Sequence, residues 1–271
     1  MTRTRRTLRI LTLGAASLVI FSVLLVWSCK TPVLAYASYK GWNRVACAML
    51  AIGADPNGLT VLFGRGPTGE ATALMLAARR GHVDLAAMLV AHGADVNVCD
   101  TRSPSALHLA CGEWHIVRLQ RSPDVVAFLI ESGAKVNAAD SGGRTALHFA
   151  ANRSYAELVQ ALVRGGADLE ARGAYGDTPL MCSVHADGIE TMAALLALGA
   201  DVNAVDNDGR SALLIAASSP YYLPKTRIRM LVEAGADVRH RDVFGMNAID
   251  YLREAEDVPS DLLEYLEDRR E

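Results

Sequence analysis

What the sequence lacks narrows its class first. It has no surplus of positive charge: 27 Lys and Arg stand against 30 Asp and Glu, a formal net charge of −3. Phosphate binding usually shows as a basic surplus, so the balance argues against a nucleic-acid partner. Cysteine is sparse. Cys29, Cys47, Cys99, Cys111 and Cys182 lie scattered along 271 residues, which is no disulfide framework. Lysine is scarce beside arginine, a bias we read as genome composition. Catalytic signatures are missing too: there is no Gly-x-x-x-x-Gly-Lys phosphate loop, no nucleophile elbow and no paired-histidine zinc helix. No enzymatic activity and no cofactor are expected.

The N-terminus is where the first positive signal lies. Residues 1–9 carry Arg3, Arg5, Arg6 and Arg9 and no acid, and residues 10–29 carry no charge at all. A helix of that length, rising ~1.5 Å per residue, spans ~30 Å, the hydrocarbon thickness of a bilayer. A buried core helix would not be apolar all round with four arginines at one end. The segment 10–29 is therefore read as a transmembrane anchor or signal, with 1–9 as its basic cytoplasmic flank. The denser basic side stays in the cytoplasm, so the rest of the chain is expected outside it, in the periplasm if the host is bacterial. Other fates stay open. The segment is long for a signal core but is readable as a cleaved one. Val26-Trp27-Ser28-Cys29 resembles a bacterial lipoprotein box, with Cys29 as the lipidated residue. Arg5-Arg6 allows a twin-arginine reading, although Arg9 stands where such signals prefer an apolar residue.

Beyond this segment the chain repeats itself. Gly-Ala recurs at Gly53, Gly93, Gly133, Gly166, Gly199 and Gly235, at spacings of 40, 40, 33, 33 and 36. A second column holds Pro32, Thr72, Ser105, Thr145, Thr178 and Ser211. Two residues after each stands a leucine: Leu34, Leu74, Leu107, Leu147, Leu180 and Leu213. Four before each glycine stand Met49, Leu89, Leu129, Leu162, Leu195 and Leu231. In the second unit, Leu74–Ala78 reads as a short apolar helix and Gly81-His82 as a turn. Leu85, Leu89 and their neighbours form one face of a second helix, and Gly93 ends it in the left-handed conformation. One such hairpin cannot bury its apolar faces, so the units must stack into a solenoid.

A period of 33 with these columns resembles the ankyrin-repeat family. The likeness covers residues 32–268, with units starting near 32, 72, 105, 145, 178, 211 and 247. The family opens each repeat with Thr-Pro-Leu-His. Thr178-Pro179-Leu180 keeps three of these residues, and Thr145-Ala146-Leu147-His148 and Ser105-Ala106-Leu107-His108 come close. Gly-Ala-Asp-Val-Asn is intact at Gly93–Asn97 and Gly199–Asn203. The resemblance implies an all-α stack of about seven helix-turn-helix units with hairpin loops. It also implies His108 as a structural histidine that hydrogen-bonds the adjacent unit. In the last unit, Ser260 is expected to cap a helix running to Arg270, with Leu262, Leu263 and Leu266 inward.

Three insertions depart from the period. The first, 58–71, should extend a finger carrying Phe63. The second, 112–123, carries Trp114 and His115, and the third, 218–226, carries Tyr221 and Tyr222; both lie between the helices of their units. Their aromatics suit either packing on the stack or binding. Cys99, His108, Cys111 and His115 allow a weaker second reading, an enzyme or metal protein built on the 112–123 insertion, although His108 and Cys111 fit structural positions.

The resemblance implies protein binding through hairpin tips and the inner-helix face: a scaffold, inhibitor or immunity-type binder. The variable positions there include Arg102, Arg144, Arg153, Arg172, Tyr175, Asp177, His185, Asn207, Asp208, Arg210 and Phe244. Recurrent arginine in this set suggests a solvated basic row and a partner with an acidic surface.

Overall fold

The hydroxyl column marks where helices begin. A short oxygen-bearing side chain ahead of a helix accepts from an amide that the helix leaves unpaired. Thr72, Ser105, Thr145, Thr178 and Ser211 all occupy that N-cap position, and Asn247 takes it in the last unit. The computed structural model describes residues 30–60, 70–99, 104–112, 122–153, 155–186, 189–219, 225–255 and 260–269. Each unit pairs an inner with an outer helix. They are α1 (residues 30–40) with α2 (Asn43–Ala51), α3 (Ala73–Arg80) with α4 (Val83–Ala91), and α5 (Ala106–Cys111) with α6 (Pro123–Glu131). Then come α7 (Ala146–Ala151) with α8 (Ala156–Arg164), α9 (Pro179–Ser183) with α10 (Glu190–Ala197), α11 (Ala212–Ala217) with α12 (Lys225–Glu233), and α13 (Ala248–Glu254) with α14 (Ser260–Glu267). The described residues hold no strand, only three isolated bridges, so the fold is the expected all-helical stack.

Both leucine columns face the core. Leu74, Leu107, Leu147, Leu180 and Leu213 on the inner helices are buried, as are Leu89, Leu129, Leu162, Leu195 and Leu231 on the outer ones. Met49, in the same outer column, is only partly buried. Inner helices α3, α5, α7, α9, α11 and α13 each pack on the next, and outer helices α2, α4, α6, α8 and α10 do likewise.

Polar stitches join the units. Nδ1 of His108 accepts from the Ser105 amide at 3.1 Å, and its Nε2 donates to the Arg144 carbonyl of the next unit at 3.2 Å. His148 repeats this with Thr145 and the Asp177 carbonyl. Burial lowers the pKa of both rings below the usual 6.5, which keeps them neutral in this role. On the outer side an asparagine ladder runs along the stack. Asn57 donates to the Gly93 carbonyl and accepts from the Asp95 amide; Asn97, Asn137 and Asn203 do the same to Gly133 and Lys135, Gly166 and Asp168, and Gly235 and Asp237. Glu170 holds the remaining rung. Its carboxylate accepts from the Asp201 amide at 2.8 Å but offers nothing to the Gly199 carbonyl.

Hairpin tips complete the register. In the last four tips, the carbonyl of the third residue accepts from the amide of the second residue in the next tip: Gly142 from Ala174, Tyr175 from Asn207, and Asp208 from Val243, at 2.8–3.0 Å. The approach is close. A Cβ on Gly176, whose φ is +75°, would stand 2.9 Å from the Asn207 amide nitrogen, so that corner takes glycine.

Three boundaries differ from the sequence reading. The first unit is already helical at Lys30, so Pro32 does not open it. Ser260 is the first helical residue of α14 and not its cap, and that helix ends at Glu267. Leu262 and Leu266 are buried and Leu263 partly so, as expected. At the first insertion, Thr60 and Ala71 exchange both backbone hydrogen bonds and close the base of the finger. Its tip, with Phe63, lies outside the described residues, as do Trp114 and His115, Tyr221 and Tyr222, Arg102, and the whole segment 1–29 with Cys29. Among the described residues no helix is long and apolar enough to cross a membrane.

Candidate functional site

The inner helices place one column of residues along the concave face. Asn152, His185 and Ser218 each stand seven residues after the cap of their helix. Between them the face opens into a groove of about 450 Å³. Its floor is Met181, Cys182 and Ile215 from α9 and α11, and its upper wall comes from the tips, through Tyr175, Asp177, Asp206 and Arg210. Tyr175 is 80 % exposed, an uncommon placement for so large a ring. Of the binding residues expected from sequence, Tyr175, Asp177, His185 and Arg210 converge here.

His185 is pulled below its usual pKa, first by burial and then by the charges of Arg227 and Arg210, so it is a neutral imidazole near pH 7. Cys182 is buried and donates its thiol to Oδ2 of Asp177 at 3.3 Å. Burial, followed by the charge of Asp177, pushes that thiol far up, so it is no nucleophile. Arg227, which the sequence reading passed over, is buried and donates to the Ala186 carbonyl, next to His185 in the chain.

The arginines are not the solvated row that the sequence reading expected. Arg144 pairs with Asp140 at 2.8 Å, and its guanidinium lies over the Phe149 ring. Arg210 pairs with Asp206 at 2.9 Å and Asp208 at 3.1 Å. Burial works upward on the Asp140 carboxyl, but hydrogen bonds from Arg144 outweigh it and hold the pKa below the usual range. Arg210 is desolvated, which works against its charge, yet Asp206 and Asp208 raise its pKa further. Each tip aspartate also accepts backbone amides: Asp140 from Gly142 and Arg144, Asp206 from Asp208 and Arg210. These pairs therefore clamp the hairpin. In the last tip, where Met246 replaces the arginine, Tyr251 donates to Asp242 instead, and that bond pushes the phenol pKa up to about 12.

The other expected residues among those described do not line the groove. Arg172 donates to the carbonyls of Gly176 and Val205, and Asn207 donates to that of Ala174, so both hold tips together. Asp208 pairs with Arg210 at the rim. Arg153 is half-buried just past the end of α7. Phe244, 73 % exposed beside Val243, sits on the next tip. For the metal reading, both His108 nitrogens are engaged, and Cys99 donates to the Asn97 carbonyl. Among the described residues no group of His, Cys, Asp and Glu is arranged to hold a metal ion.

A family model described as "Ankyrin repeats (3 copies)" matches residues 34–140, 114–206 and 157–242. The chain belongs to the ankyrin-repeat family. A search of curated proteins finds no match. Among solved structures the chain is similar to the human ASB11 ankyrin repeat domain, with 24 % identity and a TM-score of 0.69, over 88 % of this chain and 97 % of that one. At that identity the likeness speaks for the fold. Ankyrin repeats are protein-interaction scaffolds, and that class holds here.

Proposed function

We propose that this ankyrin-repeat chain is a binding module for another protein, displayed outside the cytoplasm and held at a membrane by residues 10–29. The groove carries the binding half. It combines an apolar floor, polar walls and a large exposed ring on a backbone fixed from both sides, which is how interface anchors are presented. The four N-terminal arginines followed by the uncharged run support the membrane half. Cleavage of the segment, or lipidation at Cys29, would give the same domain in the same compartment. The role of a scaffold, inhibitor or immunity-type neutraliser fits a surface of this kind. The lining does not favour an acidic partner, because its one arginine is already matched by carboxylates.

A photo-crosslinking residue at position 175 tests the site in intact cells, with position 164 on the outer helix as control. The expected result is one discrete protein adduct at 175 and none at 164. Equal labelling at both, or none at either, overturns the groove. A reporter fused after Glu271 tests display, and activity confined to the cytoplasm overturns it.

A further inference from the structure

Charge along the tips reverses at one place. Arg144 and Arg210 stand immediately before their helix caps, and each answers an aspartate four residues earlier. In the tip between them the pattern is inverted. The arginine position holds Asp177 and the aspartate position holds Gly173. The two positions share one space: a Cβ on residue 173 would stand 2.4 Å from Oδ1 of Asp177. Asp177 thus occupies the space where the neighbouring tips have their clamp, and it has no cation to clamp.

What its carboxylate does have is little. Its side-chain hydrogen bond comes from the Cys182 thiol, a weak donor, and it forms no ion pair among the described residues. By contrast, Asp206 on the same wall accepts from two amides and from Arg210. The groove lining holds two carboxylates against one guanidinium, and Asp208 adds a third carboxylate at the rim; the two other arginines whose charge reaches the lining are engaged elsewhere, Arg144 by Asp140 and Arg227 by the Ala186 carbonyl. The imidazole of His185 contributes no compensating charge at neutral pH. Tyr175 lines the same groove, exposed, with its backbone tied to Asn207.

Resting on the groove as the binding site, we infer that it is a socket for one basic side chain, arginine or lysine, of the partner protein. The cationic head pairs with Asp177. The aliphatic stem lies along Met181 and Ile215, and the face of Tyr175 covers the charge. A carboxylate left with only a thiol donor gains from such a pair, whereas a partner carboxylate there would meet like charge.

The test uses the full chain in detergent and random peptides displayed on phage as the probe. Selected peptides should share one Arg or Lys. Its replacement by Gln should weaken binding about tenfold or more, the loss of a hydrogen bond to a charged group. Asp177→Asn should cause a similar loss, and the two changes together should cost no more than either alone. Peptides whose binding is abolished by Tyr175→Ala but which share no basic residue overturn the inference and leave the groove standing. Peptides insensitive to both Tyr175→Ala and Asp177→Asn, or no enrichment at all, overturn the groove and the inference together.

Discussion

Glu170→Asn should stabilise the protein by completing the asparagine ladder. At the four asparagine rungs, one side chain makes two hydrogen bonds to the next loop, as at Asn137, whose amide donates to the Gly166 carbonyl at 3.0 Å and accepts from the Asp168 amide at 2.9 Å. Glu170 supplies the acceptor alone. Asparagine there adds a donor aimed at the Gly199 carbonyl. One neutral hydrogen bond contributes a net ~0.5–1.5 kcal/mol, and the exposed position places this one near the lower end. The charge assistance given up is offset by removing a carboxylate from between Asp168 and Asp201, and a shorter side chain loses less rotamer freedom. The expected gain is about 0.5–1 kcal/mol, a rise of roughly 1–4 °C in melting temperature for a domain of this size. Urea denaturation followed by circular dichroism measures it, with Asn137→Ala as calibration. That variant loses both bonds and should cost about 1–2 kcal/mol. If Asn137→Ala costs this much while Glu170→Asn leaves the urea midpoint unchanged or lower, the rung is not what limits this seam and the reasoning fails.

Two more expectations rest on the core. Leu162→Ala, at a fully buried site in the outer column, should cost ~2–5 kcal/mol in urea denaturation, the range for emptying a leucine site, and a loss below ~0.5 kcal/mol would place Leu162 on the surface. The buried His108 and His148 make stability fall in acid: their folded pKa lies below the unfolded 6.5, so between those values the unfolded chain binds more protons. Stability should be flat above about pH 7 and decline as pH falls below 6.5, by at most ~1.4 kcal/mol per pH unit for each histidine; His148→Gln should reduce the slope seen in urea midpoints between pH 7.5 and 5.5, and an unchanged slope would refute this.

The sequence told the fold more plainly than the site, for physical reasons. Capping and core positions recur from the second unit on, so Thr145, Leu147 and Leu162 are read from their columns with no structure in hand. The groove follows no repeating column. Met181 and Ile215 are apolar residues on inner helices, and from sequence they look the same as core. Only the stacking of three units shows that they floor an opening. The arginine column hides its role for a different reason. Asp140 and Asp206 stand four residues before Arg144 and Arg210, a spacing that signals a local pair, but a repeat column shows only the arginines and not their neighbours. Asp177 stands out in the sequence only as a variable position; its meaning depends on Gly173 and the two flanking clamps, which only the structure brings together.

The row of backbone bonds that joins the hairpin tips has a consequence for what the surface can measure. Because the third residue of each tip is tied to the second residue of the next, Tyr175, Asp208 and Phe244 are set like teeth on a rack, one per unit, at a pitch the side chains cannot alter. A partner that engages Tyr175 and Phe244 together must carry its own contacts at twice that pitch. Two weak contacts at the right separation then act as one strong contact, and the same two contacts at the wrong separation act singly. Lengthening the chain by one unit between these tips would leave every local contact intact and still abolish the joint grip, so the solenoid can discriminate by distance as well as by chemistry.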